Sequence, residues 1–298
     1  MTDITLFGGR KLSFASDKPL VMGILNMTSD SFYAPSRIKS ASDAASKASA
    51  MAREGADIID IGAESTRPGS MPVGEDDEIA ALTPVVEAVR RALPEMPISI
   101  DTRNPRAARM TLKAGADIVN DVSGLEPEGM AGEMVSLLRE SGAAYVLTHT
   151  QGTPDVMQND PRYDDFFAEL LEFFERKLKI LSLAGVSRER VIIDPGVGFG
   201  KAQRDNLEIL ANIGELGRFG LPVLIGASRK SFIGRVMDEA GFSEIGVPPE
   251  ERLGGTLAVS AICAADGASI IRVHDVKENR QAIEIANAVR IFRHDSGV

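Results

Sequence analysis

Cysteine is almost missing from this chain. Cys263 is the single one among 298 residues, so no intrachain disulfide can form and a cysteine-based zinc site is excluded. Histidine is scarce too: His149, His274 and His294 lie too far apart in sequence for a zinc-binding His-Glu-x-x-His helix. No apolar run approaches the ~18 residues a membrane helix needs, so no membrane partner is expected. The opening Met1-Thr2-Asp3-Ile4 lacks a basic stretch followed by an apolar one, which argues against a signal peptide and makes the cytoplasm the expected compartment. Positive charge is in deficit: 33 Lys and Arg face 43 Asp and Glu, a net charge of −10, which argues against a nucleic-acid partner. Several motifs are also absent. No Gly-x-Gly-x-x-Gly turn follows the first apolar run, which weakens a dinucleotide-binding reading. No Gly-x-Ser-x-Gly is present. Gly200-Lys201 is followed by Ala202, and Pro195 stands where the first glycine of a P-loop belongs.

What is present is a large apolar fraction, 44%, and a rhythm. Short β-branched runs recur at Leu20–Leu25, Ile58–Ile61, Ile98–Ile100, Ile118–Val119, Ala144–Leu147, Val191–Ile193, Val223–Ile225 and Ile270–Val273. They lack strict alternation, as strands buried on both faces do. Between them lie stretches of helical spacing, clearest in Phe166, Phe167, Leu170, Leu171, Phe174, Leu178 and Leu181. The helix-to-strand junctions repeat: Gly55-Ala56-Asp57-Ile58, Gly115-Ala116-Asp117-Ile118 and Gly267-Ala268-Ser269-Ile270, with Gly142, Gly185 and Gly220 in similar places. Glycine closes a helix there because it enters the left-handed region at little cost. Eight strand-helix units predict an α/β fold, a single-domain TIM (β/α)8 barrel over residues 19–298, for which roughly 250 residues suffice. Residues 1–18 form an N-terminal extension, readable as a hairpin over the barrel's bottom with Gly8-Gly9 as its turn or as a loose tail.

In such a barrel the strands' C-terminal ends carry the chemistry. Each run here ends in polar residues: Asn26; Glu64 to Gly69; Asp101; Asn120; His149; Asp194 and the glycine-rich stretch to Lys201; Ser228-Arg229-Lys230; Arg272 and His274. Loops are polar in any protein, but Asp101, Asn120, Asp194 and Arg272 sit at strand ends, where burial is expected. Arg67, Lys201, Arg229, Lys230, Arg272 and His274 gather on one face of an acidic protein, which predicts an anionic ligand such as phosphate or diphosphate. Asp101, Asn120 and Asp194 lie deeper. They suit a flat heterocycle with paired N–H donors, and an internal salt-bridge network between strands accounts for them equally well.

These residues, taken in order, resemble the dihydropteroate synthase family. Gly23-Ile24-Leu25-Asn26-Met27-Thr28 with Asp30-Ser31-Phe32 is similar to its opening motif, and Asp60-Ile61-Gly62 with Glu64-Ser65-Thr66-Arg67-Pro68-Gly69 to its second. Asp101-Thr102, Asn120-Asp121-Val122, Asp194 to Lys201, Ser228 to Gly234 and Arg272 to Val276 continue the match from about residue 19 onward. The resemblance implies an enzyme that joins 4-aminobenzoate to 6-hydroxymethyl-7,8-dihydropterin diphosphate in folate biosynthesis. It implies that Asp101, Asn120, Asp194 and Lys230 hold the pterin, and that Asn26 helps place a Mg²⁺ on the diphosphate. Arg67, Arg272 and His274 would contact the phosphates, with Lys201 among the substrate-binding residues. Thr66, Pro68, Phe199 and Ser228 would border the aminobenzoate. Asp101, Lys230, Asn26 and Arg272 are the implied catalytic set, and a homodimer is the implied assembly. Arg272→Ala should then weaken diphosphate binding more than pterin binding. Four departures stand out. Ser29 replaces the family's usual Pro, Ala34-Pro35-Ser36 its Asp-Gly-Gly, and Ala63 a Gly; Thr148 and Thr150 flank His149 where methionines are usual. Two rivals share the barrel: a pterin-binding paralogue without synthase activity, and a pterin-dependent methyltransferase domain. Ser228-Arg229-Lys230 and Thr66-Arg67-Pro68 favour the synthase.

Overall fold

The structure, a computed structural model, describes residues 3–6, 9–14, 18–27, 40–63, 74–126, 128–151, 161–242 and 246–296. Two short strands, β1 (Ile4–Thr5) and β2 (Lys11–Leu12), pair antiparallel ahead of the main sheet. Eight parallel strands follow: β3 (Leu20–Asn26), β4 (Ile58–Gly62), β5 (Ile98–Asp101), β6 (Ile118–Asp121), β7 (Ala144–Thr148), β8 (Val191–Asp194), β9 (Leu224–Ile225) and β10 (Ile270–Val273). Their order is β8-β7-β6-β5-β4-β3-β10-β9. A parallel bridge between Ile193 and Val223 joins β8 to the chain entering β9 and closes the ring. This is the eight-stranded barrel expected from the sequence.

Helices α1 (Ala41–Arg53), α2 (Glu75–Ala92), α3 (Pro105–Ala114), α4 (Glu128–Ser141), α5 (Phe166–Leu183), α6 (Gln203–Ala211), α7 (Ile213–Leu216), α8 (Ser231–Glu239), α9 (Leu253–Ala265) and α10 (Val276–Ser296) pack around it. Local chemistry sets their ends. Asn104 caps α3 by accepting from the backbone N–H of Arg106 and Ala107, Pro105 fills the first turn, and Gly115 ends the helix at φ 115°. In α5, Phe166, Leu170, Phe173, Phe174, Leu178 and Leu181 are buried, so its apolar stripe faces the sheet.

Several strands run one or two residues past their last apolar residue, into Asn26, Asp101, Asn120-Asp121, Thr148 and Asp194. A parallel ladder is made by the backbone, which continues whatever the side chain. The junction repeat has a physical purpose here. Ahead of β4, β6 and β10 the preceding residue accepts a backbone N–H from the neighbouring strand or the chain entering it: Val21 donates to Asp57, Ile98 to Asp117 and Val223 to the Ser269 hydroxyl. Arg90 on α2 binds Asp117 and the Gly115 carbonyl, and Arg280 on α10 binds Asp57 and the Gly55 carbonyl in the same way.

The barrel's lower interior is apolar. Ile4, Leu6 and Leu12 from the N-terminal extension pack with Met22, Ile58, Ile118, Val146, Ile192, Leu224 and Ile270. Arg10 fastens the extension: its Nε and Nη2 donate to Asp117 Oδ1 at 2.9 and 2.6 Å. Arg10→Ala should lower stability by about 1.5–3 kcal/mol, the usual range for a hydrogen bond to a charged group, with the drop read from urea unfolding.

Candidate active site

Side chains alternate between the two faces of a strand. Two residues beyond the apolar layer, the inward positions become Asp60, Asn120, Thr148, Asp194 and Arg272, with Asp101 at the end of β5. The pairing register sets Asp101 beside Asn120 and Thr148 beside Asp194. The barrel therefore changes from oily to polar partway up, at the end where barrel enzymes act.

The centre of this layer is Arg272. Its Nε donates to Asp60 Oδ2 at 2.6 Å and its Nη2 to Asp101 Oδ2 at 2.7 Å. Burial opposes the guanidinium charge, but attraction to Asp60 and Asp101 outweighs it and the pKa rises. Asn120 Nδ2 lies 3.3 Å from Asp60 Oδ2. Its Oδ1 is buried without a hydrogen-bond partner among the described residues, an acceptor waiting for a donor. Asp194 accepts from the Gly196 backbone at 2.7 Å. Burial raises its pKa, while Lys230, the Gly196 N–H, Lys201 and Arg272 pull the other way.

Lys230 stands over this floor. Its Nζ donates to the Val197 carbonyl and lies 4.0 Å from the centre of the Phe199 ring, a cation–π contact. Burial lowers its pKa to about 8, resisted chiefly by Asp194. Ser228 Oγ lies 2.9 Å from His274 Nδ1, joining the ends of β9 and β10. On the other side, Glu78 of α2 accepts from Thr102 Oγ1 at 2.6 Å, which ties the start of that helix to the end of β5.

Of the six cations read from the sequence as one anion-binding face, five lie among the described residues, and the structure separates them. Lys201 is 1% exposed and points into the protein, so it is not a rim cation. Arg229 is committed to structure: its guanidinium forks onto Asp275, with both hydrogen bonds at 2.8 Å. It also binds the Pro249 and Glu250 carbonyls. Arg272 belongs to the floor network, because the carboxylates of Asp60 and Asp101, on the neighbouring strands β4 and β5, need one cation between them. Lys230 and His274 remain at the upper level. Thr66, Arg67 and Pro68, together with Ser29, Ala34, Pro35 and Ser36, lie outside the described residues.

Asp60, quoted from the sequence only as part of a motif and given no role, is a member of the floor network. Its signal was a lone carboxylate in the apolar run Ile58-Ile59-Asp60-Ile61, in a strand buried on both faces. His149 was quoted at its strand end but given no role; it is 5% exposed and faces Lys201.

Comparison with known proteins fits this geometry. The family described as "Pterin binding enzyme" matches residues 22–274. The dihydropteroate synthase of Escherichia coli strain K12 is 43% identical over 270 residues, 91% of each chain. This chain belongs to the dihydropteroate synthase family. Other members include the synthase of Synechocystis, 40% identical over 94% of this chain and 93% of the relative. Among solved structures, a Yersinia pestis dihydropteroate synthase with a sulfonamide drug complex superposes with a TM-score of 0.87 at 37% identity, covering 97% of this chain and 99% of that one. A Xanthomonas albilineans family member in complex with 7,8-dihydropteroate gives 0.82 at 32% identity, with coverages of 97% and 99%.

Proposed function

We propose that this chain condenses 4-aminobenzoate with 6-hydroxymethyl-7,8-dihydropterin diphosphate to give 7,8-dihydropteroate and diphosphate, the step its family serves in folate biosynthesis. The observation that carries this reading is the polar floor: an orphan acceptor on Asn120, and carboxylates on Asp101 and Asp194, beneath a lysine over an aromatic ring. A flat heterocycle rich in N–H donors matches that set.

In this reading the pterin lies on the floor with its N–H edge toward Asn120 Oδ1 and Asp194. The bond between the pterin methylene and the diphosphate oxygen breaks, and its electron pair leaves with the oxygen. Positive charge spreads from the methylene into the pterin ring, where Asp101 and Asp194 stabilise it. The amine nitrogen of 4-aminobenzoate forms the new bond and releases a proton. Positioning matters more than a strong base, because the arylamine keeps its lone pair free at neutral pH. Lys230 and His274 face the departing anion, with Arg67 the further cation that the resemblance implies. Ser228, Phe199, Thr66 and Pro68 border the aminobenzoate.

The donor set also suits Mg²⁺ in a limited way. Among the described residues no group of three or more His, Cys, Asp or Glu could hold a metal alone. Mg²⁺ takes few protein ligands and leans on phosphate oxygens and water. The Asn26 amide oxygen, at the end of β3, is one such hard ligand. When bound there, the ion would supply charge neutralisation on the diphosphate.

The decisive experiment is diphosphate release by purified protein supplied with the pterin diphosphate and Mg²⁺, with and without 4-aminobenzoate. Release coupled to dihydropteroate supports the synthase. Pterin binding without turnover would instead identify a pterin-binding paralogue.

The same reading extends to assembly in the cytoplasm as a homodimer. Ile285, Val289 and Phe292 form one exposed stripe on α10, 69%, 47% and 71% exposed, and Ile262 on the adjoining α9 is 47% exposed. Apolar side chains at this spacing favour a second copy over water. Phe292→Glu should shift the sedimentation of the purified protein from dimer to monomer.

A further inference from the structure

Several backbone groups of the segment from Asp194 to Lys201 are committed. Gly196 N–H donates to Asp194, Phe199 N–H to the Gly196 carbonyl at 3.0 Å, and Gly198 N–H to Asn206 Oδ1 at 2.6 Å. The Gly200 carbonyl accepts from the Tyr163 hydroxyl at 2.8 Å. The turn lies hard against the end of β7: a Cβ on Gly196, at φ 68°, would sit 2.0 Å from the His149 carbonyl oxygen. The Val197 carbonyl and the Phe199 ring then hold Lys230.

Beneath this turn lies a buried pair. Lys201 Nζ is 2.8 Å from His149 Nδ1, 3.2 Å from the His149 carbonyl and 3.0 Å from the Phe199 carbonyl. An ammonium has three donors, and three acceptors surround it. With Lys201 protonated, His149 Nδ1 is the acceptor, which puts the ring proton on Nε2 and leaves the imidazole neutral; burial lowers the Lys201 pKa well below its ordinary value, and as a neutral amine Lys201 would accept from Nδ1–H, keeping the same pair joined. Burial and the neighbouring Lys201 charge both lower the His149 pKa, in keeping with that tautomer. The ring cannot swing away, since Phe173 packs edge-on against it at 4.8 Å and Phe166 at 6.4 Å.

We propose that Lys201 is a positioning residue, locked by His149, which fixes the 196–200 turn through the Phe199 carbonyl and so sets where Phe199 and Lys230 stand over the pterin floor. This assigns Lys201 a place under the site in place of ligand contact. A buried lysine is costly to leave without acceptors, so it persists where the geometry it imposes matters. The proposal rests on the pterin-site reading for its functional half only; the clamp itself can be tested without ligand.

Three variants test it: Lys201→Met, which keeps length without donors; His149→Leu, which removes the ring acceptor; and His149→Asn, whose Oδ1 can replace Nδ1. Hydrogen exchange at the 197–200 amides of the free protein should quicken in Lys201→Met and His149→Leu and stay near wild type in His149→Asn. In turnover, the first two should raise KM for the pterin diphosphate by about tenfold, a change of about 1.4 kcal/mol, and His149→Asn should stay within about threefold. Unchanged exchange in Lys201→Met would overturn the clamp. So would a His149→Asn variant as defective as His149→Leu. Altered exchange with unaltered KM would overturn its role in positioning Lys230. A wild-type protein that bound no pterin would defeat the function reading while leaving the exchange result to judge the clamp.

Discussion

Arg272→Ala should cost about 3–5 kcal/mol of stability, the usual penalty for breaking a buried ion pair by removing one partner, and should abolish measurable turnover. The cause is specific. Asp60 is fully buried and Asp101 is 6% exposed, and Arg272 is the guanidinium between them at 2.6 and 2.7 Å. Without it, two largely buried carboxylates on neighbouring strands lose the cation that both hold. For a domain of this size the loss corresponds to a fall in Tm of about 5–15 °C. This revises the expectation drawn from sequence, in which diphosphate binding suffers more than pterin binding: a floor residue that organises Asp60 and Asp101 should take both down together. Pairing Arg272→Met with Asp60→Asn checks the cause. The double variant should recover part of the stability, with a coupling of about 1–3 kcal/mol, and none of the turnover. Additive losses in urea unfolding would show that the network is not a unit.

Lys230→Ala should weaken pterin diphosphate binding by about 10- to 100-fold, as expected for losing a charge-assisted hydrogen bond worth about 1.5–3 kcal/mol. The wild-type protein carries a second signature of the same group. Lys230 is faced by Asp194 from β8, Asp101 from β5 and Arg272 from β10, and burial brings its pKa to about 8. Binding that needs the ammonium should therefore decline as pH rises through about 8. Lys230→Ala should lack that alkaline limb, and Lys230→Arg, which stays charged, should lack it too. The stability effect has the opposite sign. A lysine whose folded pKa lies below its unfolded value binds fewer protons when folded. Its burial cost is thus fully present below about pH 8, and stability from this group rises between there and 10.5. Calorimetric titration across that range, beside unfolding at the same pH values, separates the two. An identical pH profile in Lys230→Ala would remove Lys230 from the pterin site.

The repeated Gly-Ala-Asp and Gly-Ala-Ser junctions, the eight β-branched runs and the polar strand ends were enough to read the barrel. All three are local: they follow from backbone conformation, from burial on both faces and from the two-residue period of a strand. Asp101, Asn120 and Asp194 were legible as deep polar residues for the same reason, since a strand end has a fixed place in a barrel. Charge partners were not legible, because pairing joins residues distant along the chain. Arg272 and Asp60 are 212 positions apart, and Lys201 and His149 are 52. From sequence, Lys201, Arg229 and Arg272 were three members of one anion-binding face. Tertiary structure sends one under the site, one to Asp275 and one between two carboxylates, because a buried charge must find its counter-charge or its acceptors wherever the fold brings them close. The chain alone thus determined which residues stand at the mouth of the barrel. Only its closure, which sets strands from opposite ends of the sequence side by side, decided which of them face a ligand and which hold one another.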